Sequence, residues 1–184
     1  LIKLGLKTMM AEICAHIMDV AANSITAEAK KVDIFITQDK NQVMLTVKVI
    51  DDGKGMTREM SEKVQDPFFS TKTGRKVGLG IPLLKGTAEH CGGDFYLKSK
   101  IGEGTEIFAS FALNHPDLPP LGNLRDTILV MIISNPGVNF SFSYTINGKE
   151  FTLDTEEIKA QLGDVPINHP EVIKFLGQYL DENL

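Results

Sequence analysis

The sequence predicts an α+β fold: a two-layer α/β sandwich, with helices on one face of a mixed sheet, followed by a small C-terminal α/β unit. Three observations carry this expectation. Residues 8 to 28 place Ile13, Ile17, Val20, Ala21 and Ser24 on one helical stripe. Val32, Ile34 and Ile36 alternate with Asp33, Phe35 and Thr37, and Val43, Leu45, Val47 and Val49 alternate more cleanly, as strands with one buried side do. The stretch from Asn114 to Gly122, with Pro116, Pro119 and Pro120, divides residues 1–113 from residues 123–184 as a linker.

The elements follow in order. Asp39, Lys40 and Asn41 read as a hairpin turn between the first two strands. A glycine-rich loop runs from Asp51 to Met56, and Thr57 caps a short helix through Val64 with Met60 as a buried anchor. Residues from Asp66 to Val77 are irregular and polar apart from Phe68 and Phe69. Gly78 to His90 is helical, and Pro82 is allowed in its first turn because the missing N–H has no partner there. Phe95–Leu97 and Ile107–Phe111 are strands joined across Gly102 and Gly104. After the linker come an apolar helix from Leu124 to Ser134, a hairpin turning at Asn147-Gly148, a helix started by Asp154 and stopped by Gly163, and a last helix opened by Pro170.

Composition sets outer limits. The 184 residues are 42% hydrophobic and 23% charged, with a net charge of −5, so a packed core is expected and nucleic acid is not an expected partner. The longest apolar run, Ile128 to Ile133, is too short for a membrane span. Cys14 and Cys91 match neither a metal-ligand spacing nor a disulfide framework, and read as buried thiols of a reducing, cytoplasmic protein.

Three polar groupings stand out. Asp19 and Asn23 lie four apart and share a helix face; an amide oxygen suits Mg²⁺, and a carboxylate one turn away suits a base. Asp51-Asp52-Gly53-Lys54-Gly55-Met56 follows a strand directly: its carboxylate can accept from an exocyclic amine, its glycines permit close approach, and Met56 offers an adaptable apolar surface to a flat ring. Lys72, Arg75 and Lys76 precede Gly78-Leu79-Gly80 at a helix start, where free N–H groups favour phosphate. Each grouping also has a plainer reading, as a solvated helix face, a turn or a glycine hinge. The segment contains neither a P-loop nor a dinucleotide-binding glycine motif.

The succession Asp19…Asn23, Asp51…Gly53…Gly55, Phe68-Phe69, Gly78…Gly80 and Gly104-Thr105 resembles the N, G1, F, G2 and G3 boxes of the GHKL superfamily, whose ATP-binding domain is the Bergerat fold. The resemblance spans roughly residues 12 to 113. Asp19 to Ala27 looks like the mismatch-repair and gyrase branch, although the acid there is usually Glu. Asp66 to Lys72, Gly78 to Ile81 and Gly102 to Thr105 look like the histidine-kinase branch.

The resemblance implies ATP and Mg²⁺ as cofactors. Asn23 would coordinate Mg²⁺. Asp51 would accept from the adenine amine with Thr105 supporting through water. Gly53, Gly55 and Met56 would shape the adenine site. Lys72, Arg75 or Lys76 in a short lid, with the backbone at Gly78, Leu79 and Gly80, would meet the phosphates, and Asp19 would be the catalytic acid–base residue. Roughly ten residues precede the first helix, and His16 lies inside it, so a stand-alone ATP-binding module with a small accessory domain is expected. Three functions remain open: histidine-kinase-like phosphotransfer in trans to a protein partner (a response regulator or a regulated enzyme), an ATP-hydrolysing switch, and a non-catalytic nucleotide sensor.

Overall fold

The computed structural model describes residues 12–39, 41–67 and 79–184. Helix α1 (Ile13–Thr26) buries Ile13, Ile17, Val20, Ala21 and Ser24 as the stripe predicts, and adds Cys14 and His16. Residues 8–11 of the predicted helix lie outside the described residues. At the other end the helix stops earlier than residue 28. Glu28 adopts a φ of 65°, and the Ala29 N–H returns to the Ser24 carbonyl at 3.1 Å.

The start of α1 has no side-chain cap. Its first N–H groups, on Ile13 and Cys14, donate instead to the carbonyls of Pro120 and Leu121, both at 2.9 Å. Proline has no N–H but keeps its carbonyl, so this stretch can serve as an acceptor for orphan helix donors. The segment expected as a linker is therefore fastened to α1.

Strands β1 (Lys31–Asp39) and β2 (Met44–Asp51) pair antiparallel, with Val32 opposite Asp51. Val43, expected as a strand residue, lies before β2 with φ 54° and is 39% exposed. The turn is held by Asp39, whose Oδ1 accepts from the N–H groups of Asn41 and Gln42 at 2.8 and 3.2 Å. Helix α2 (Arg58–Lys63) is capped by Thr57, which accepts from the Met60 N–H at 3.2 Å. Met60 itself is half-buried and not a core anchor. Helix α3 (Gly80–His90) holds Pro82 in its first turn. Strands β3 (Phe95–Lys100) and β4 (Gly104–Ala112) pair antiparallel, and β4 also pairs with β2.

Beyond the prolines, Asn123 caps α4 (Leu124–Ser134) by accepting from the Asp126 N–H at 3.0 Å. Strands β5 (Asn139–Ile146) and β6 (Lys149–Asp154) form a hairpin in which Asn147 and Gly148 have φ of 51° and 81°, the left-handed pair that a tight two-residue turn requires. Helix α5 (Thr155–Leu162) is capped by Asp154, and α6 (Pro170–Asn183) turns Val172, Leu176 and Leu180 inward.

The six strands make one mixed sheet in the order β3-β4-β2-β1-β5-β6. The C-terminal hairpin continues the sheet because β5 runs parallel to β1, Val32 opposite Phe140 and Ile34 opposite Phe142. Phe140, Phe142, Phe151 and Leu153 join Val32, Ile34, Ile36, Leu45, Val47, Val49, Ile107 and Phe111 in a single core. A row of open backbone groups along β1 is thereby paired. Helices α1 and α3 pack on the buried face. The other face is half-exposed and carries cross-strand pairs: Lys48 sits 4.8 Å from the Phe35 ring, and Tyr96 stacks on Phe108 at 4.9 Å.

Candidate functional site

The alternation that buries Leu45, Val47 and Val49 continues to Asp51, the last residue of β2. A carboxylate therefore ends a row of aliphatic side chains, 8% exposed. Burying it requires hydrogen bonds. Oδ2 accepts from the Ser24 hydroxyl of α1 at 2.6 Å, and Oδ1 accepts from the Gly53 N–H at 3.0 Å. With one bond on each oxygen, the carboxylate is oriented and still has acceptor capacity.

Directly across the sheet, Asp51 faces Thr105 on β4, and Thr105 faces Ser99 on β3. The two hydroxyls are 2.9 Å apart. Ser99 also donates to the Gly104 carbonyl at 2.9 Å and accepts from the Met56 N–H at 2.8 Å, which ties the loop after β2 to the sheet. Asp52 secures the same loop from outside, accepting from the N–H groups of Lys30 and Lys31 at 2.7 and 2.8 Å. At Gly55, with φ 63°, an added Cβ would lie 1.9 Å from the Lys100 carbonyl oxygen, so the loop passes the β3–β4 turn at a distance only glycine allows.

These groups border a cavity of about 500 Å³, within the size range of small-molecule sites. Its walls are largely apolar: Val20 of α1, Met56, Met60 and Val64 around α2, Ile81 of α3, and Ile101 and Ile107. Asn23, Ser24, Asp51 and Thr105 supply polar groups. The Asn23 side chain makes no hydrogen bond among the described residues, which leaves its amide oxygen open to a ligand.

Asp19 lies one turn from Asn23, half-buried, beside the cavity and not in its lining. It rests on the first residue of α3: a Cβ added to Gly80 would sit 2.4 Å from Asp19 Oδ2. Leu79 precedes it as the half-exposed N-cap residue. His16, the next polar residue up α1, is 1% exposed. Its Nε2 lies 3.4 Å from the Thr87 hydroxyl of α3, and its Nδ1 has no partner among the described residues. A side chain so enclosed is unsuited to receive a phosphoryl group.

Burial lowers the His16 pKa from 6.5 to about 4. Because the folded value lies below the unfolded one, the unfolded chain gains a proton first as pH falls. The stability linked to neutral His16 is complete above pH 6.5 and is lost as pH falls toward 4. The full difference is roughly 3 kcal/mol. Urea unfolding of the wild type and of His16→Leu at pH 7 and pH 4.5 is expected to show a pH-dependent loss that the variant lacks by about 2 kcal/mol, most of the full difference; equal losses in both proteins would exclude it.

The structure thus brings Asn23, Asp51, Gly55, Met56 and Thr105 to one cavity, sets Gly53 behind Asp51, and joins Asp19 to Gly80 next to it. Lys72, Arg75, Lys76 and Gly78, with Phe68 and Phe69, lie outside the described residues. Sequence reasoning missed Ser24 and Ser99 as site residues, and included Lys54 in the Asp51–Met56 grouping without giving it a role. Ser24 had a legible signal, since a hydroxyl in the buried stripe of α1 needs a buried partner. Ser99 had none, because its role arises from strand register. Among the described residues, no group of three or more His, Cys, Asp or Glu side chains is placed to hold a metal ion, and no helix is long and apolar enough to cross a membrane.

Sheet, cavity and polar groups together define an α+β domain with a mostly apolar pocket bordered by a buried carboxylate, and comparison with known proteins gives its family. The family described as histidine kinase-, DNA gyrase B- and HSP90-like ATPase matches residues 3–115, and the chain belongs to it. Over 58 residues it is 40% identical to the sensor kinase CckA of Brucella abortus (strain 2308), covering 31% of this chain and 6% of that protein. Over 80 residues it is 34% identical to sporulation kinase A of Bacillus subtilis (strain 168), covering 44% of this chain and 13% of that protein. The chain thus spans only a small part of these kinases. Its fold is similar to the Aquifex aeolicus MutL ATPase domain complexed with ADP, with a TM-score of 0.55 at 16% identity over 82% of this chain and 68% of that one.

Proposed function

We propose that this chain binds ATP with Mg²⁺ in the cavity beside Asp51 and passes the γ-phosphoryl group to a partner protein, in the manner of a histidine kinase. The carrying observation is the Asp51 carboxylate, buried, oriented by Ser24 and Gly53, and bordering a mostly apolar slot. A carboxylate there accepts from the exocyclic amine of adenine and disfavours a base that presents a carbonyl at the same place. Asn23, lining the cavity with an unengaged amide, suits Mg²⁺, which keeps several waters and takes its remaining ligands from nucleotide phosphates. The MutL domain of similar fold is complexed with ADP, and the sequence relatives are named as kinases, which supports both parts of the reading.

Calorimetric titration of ATP with and without Mg²⁺ tests the binding step. Well-folded chain that takes up no ATP under either condition sinks the proposal. For the second step, ATP labelled on the γ-phosphate is incubated with the chain and response-regulator receiver domains or a candidate regulated enzyme. Label in the partner supports kinase action.

A second reading, an ATP-hydrolysing switch, is favoured by Asp19. Its carboxylate lies one turn from Asn23 and against the start of α3, where an attacking water could be oriented. On that reading Asp19→Asn lowers phosphate release by about 100-fold while ATP affinity stays within about twofold. Tight binding with neither release nor transfer would leave a nucleotide sensor.

A further inference from the structure

We infer that Lys54 is the base-side cation of this site, its ammonium meeting the outer edge of the bound nucleobase and not the phosphates. This rests on the nucleotide reading above and assigns a contact within it.

Helix α1 serves as a ruler, advancing 1.5 Å per residue. Asp19, Asn23 and Ala27 follow one another at four-residue intervals along one side of α1 and its end. Each marks a different neighbour. Asp19 touches Gly80 at the start of α3. Next to Asn23, Ser24 holds the Asp51 carboxylate. The Ala27 carbonyl accepts from the Lys54 N–H at 2.9 Å. The order along the site is therefore Gly80, then Asn23 with Asp51, then Lys54. The start of α3, suited to phosphate, lies on one side of the base-binding carboxylate, and Lys54 lies on the other.

Lys54 is also held in place. Its carbonyl accepts from the Gly102 N–H at 2.9 Å, so both of its peptide groups are engaged, and the residue borders the cavity while remaining exposed. It is the one cation in the described lining. None of the ion pairs among the described residues engages its ammonium. The neighbouring Thr26 hydroxyl is bonded back to the Ala22 carbonyl at 2.8 Å, so its donor is already spent. An ammonium offers three donors and no acceptor, and the ring nitrogens of adenine are acceptors.

The test compares adenosine, ADP and ATP binding to the full chain for the wild type, Lys54→Ala and Lys54→Arg. Lys54→Ala is expected to weaken all three by the same factor, about fivefold, with its thermal midpoint unchanged and with Lys54→Arg recovering most of the loss. A loss that grows with the number of phosphates would place Lys54 at the phosphates and overturn the assignment. Equal affinities of Lys54→Ala and wild type for all three ligands would show a solvated side chain and also overturn it. Wild-type chain that binds none of them would instead overturn the nucleotide reading, and the Lys54 assignment with it.

Discussion

Replacing Asp51 by Asn is expected to weaken ATP binding by on the order of 10³-fold while leaving the fold intact. The substitution keeps the size of the side chain. Its amide oxygen can still accept from the Gly53 N–H, and its NH₂ can donate to the Ser24 oxygen. The fold should therefore tolerate it. What changes is the cavity side, where a charged acceptor becomes a neutral group with donors. A base amine then meets either a weaker acceptor or another donor. Sites built around a hydrogen bond reject a mismatched partner strongly because the buried polar group is left without one. Calorimetric titration with a parallel urea unfolding curve checks this. Affinity within tenfold of the wild type, in protein of unchanged stability, would remove Asp51 from the base-binding role. Ser24→Ala makes a milder companion: it frees Oδ2 without removing the charge, and about a tenfold loss is expected.

The second large effect is structural. Gly104→Ala is expected to destabilise the protein by about 4 kcal/mol. Gly104 has φ 88°, and a Cβ there would lie 1.8 Å from the Asp51 carbonyl oxygen. The obstructing atom is backbone in the neighbouring strand, so relief requires β2 and β4 to part at their ends. That movement would displace Asp51, and ATP affinity should fall along with stability. Gly102 supplies the control. It has φ 77° but nothing within 4 Å of an added Cβ, so Gly102→Ala should cost only the left-handed strain, about 1 kcal/mol. Urea midpoints of the two variants separate close approach from conformational strain. Similar midpoints would mean that the contact with Asp51 is not what requires glycine at 104.

Much of the molecule was legible from residue order because the signals are short-ranged. The helical stripe from Ile13 to Ser24 and the alternation from Leu45 to Val49 express the 3.6- and 2-residue periods of elements with one buried side. Asn147-Gly148 and Asp154 mark a turn and a cap through their own side chains or their tolerance of left-handed backbone. The position of Asp51 followed from the same alternation. Val43 broke the pattern because the turn demanded a positive φ from it, a requirement its β-branched side chain does not advertise.

By itself, then, the sequence determined the elements, their order, and the chemical types presented by Asn23, Asp51 and Thr105. The tertiary structure decided which of them meet. It set β5 parallel to β1, so that the C-terminal hairpin shares the sheet and core. It turned the proline-rich stretch into the acceptor for the first N–H groups of α1. It also joined Ser24 to Asp51, Ser99 to Thr105, Asp19 to Gly80, and Lys54 to the far rim of the cavity. The physical reason is one of range. Periodicity and capping depend on neighbours within a turn or two, whereas these contacts depend on how whole elements pack, and many arrangements of the same elements satisfy the same local pattern until the core selects one.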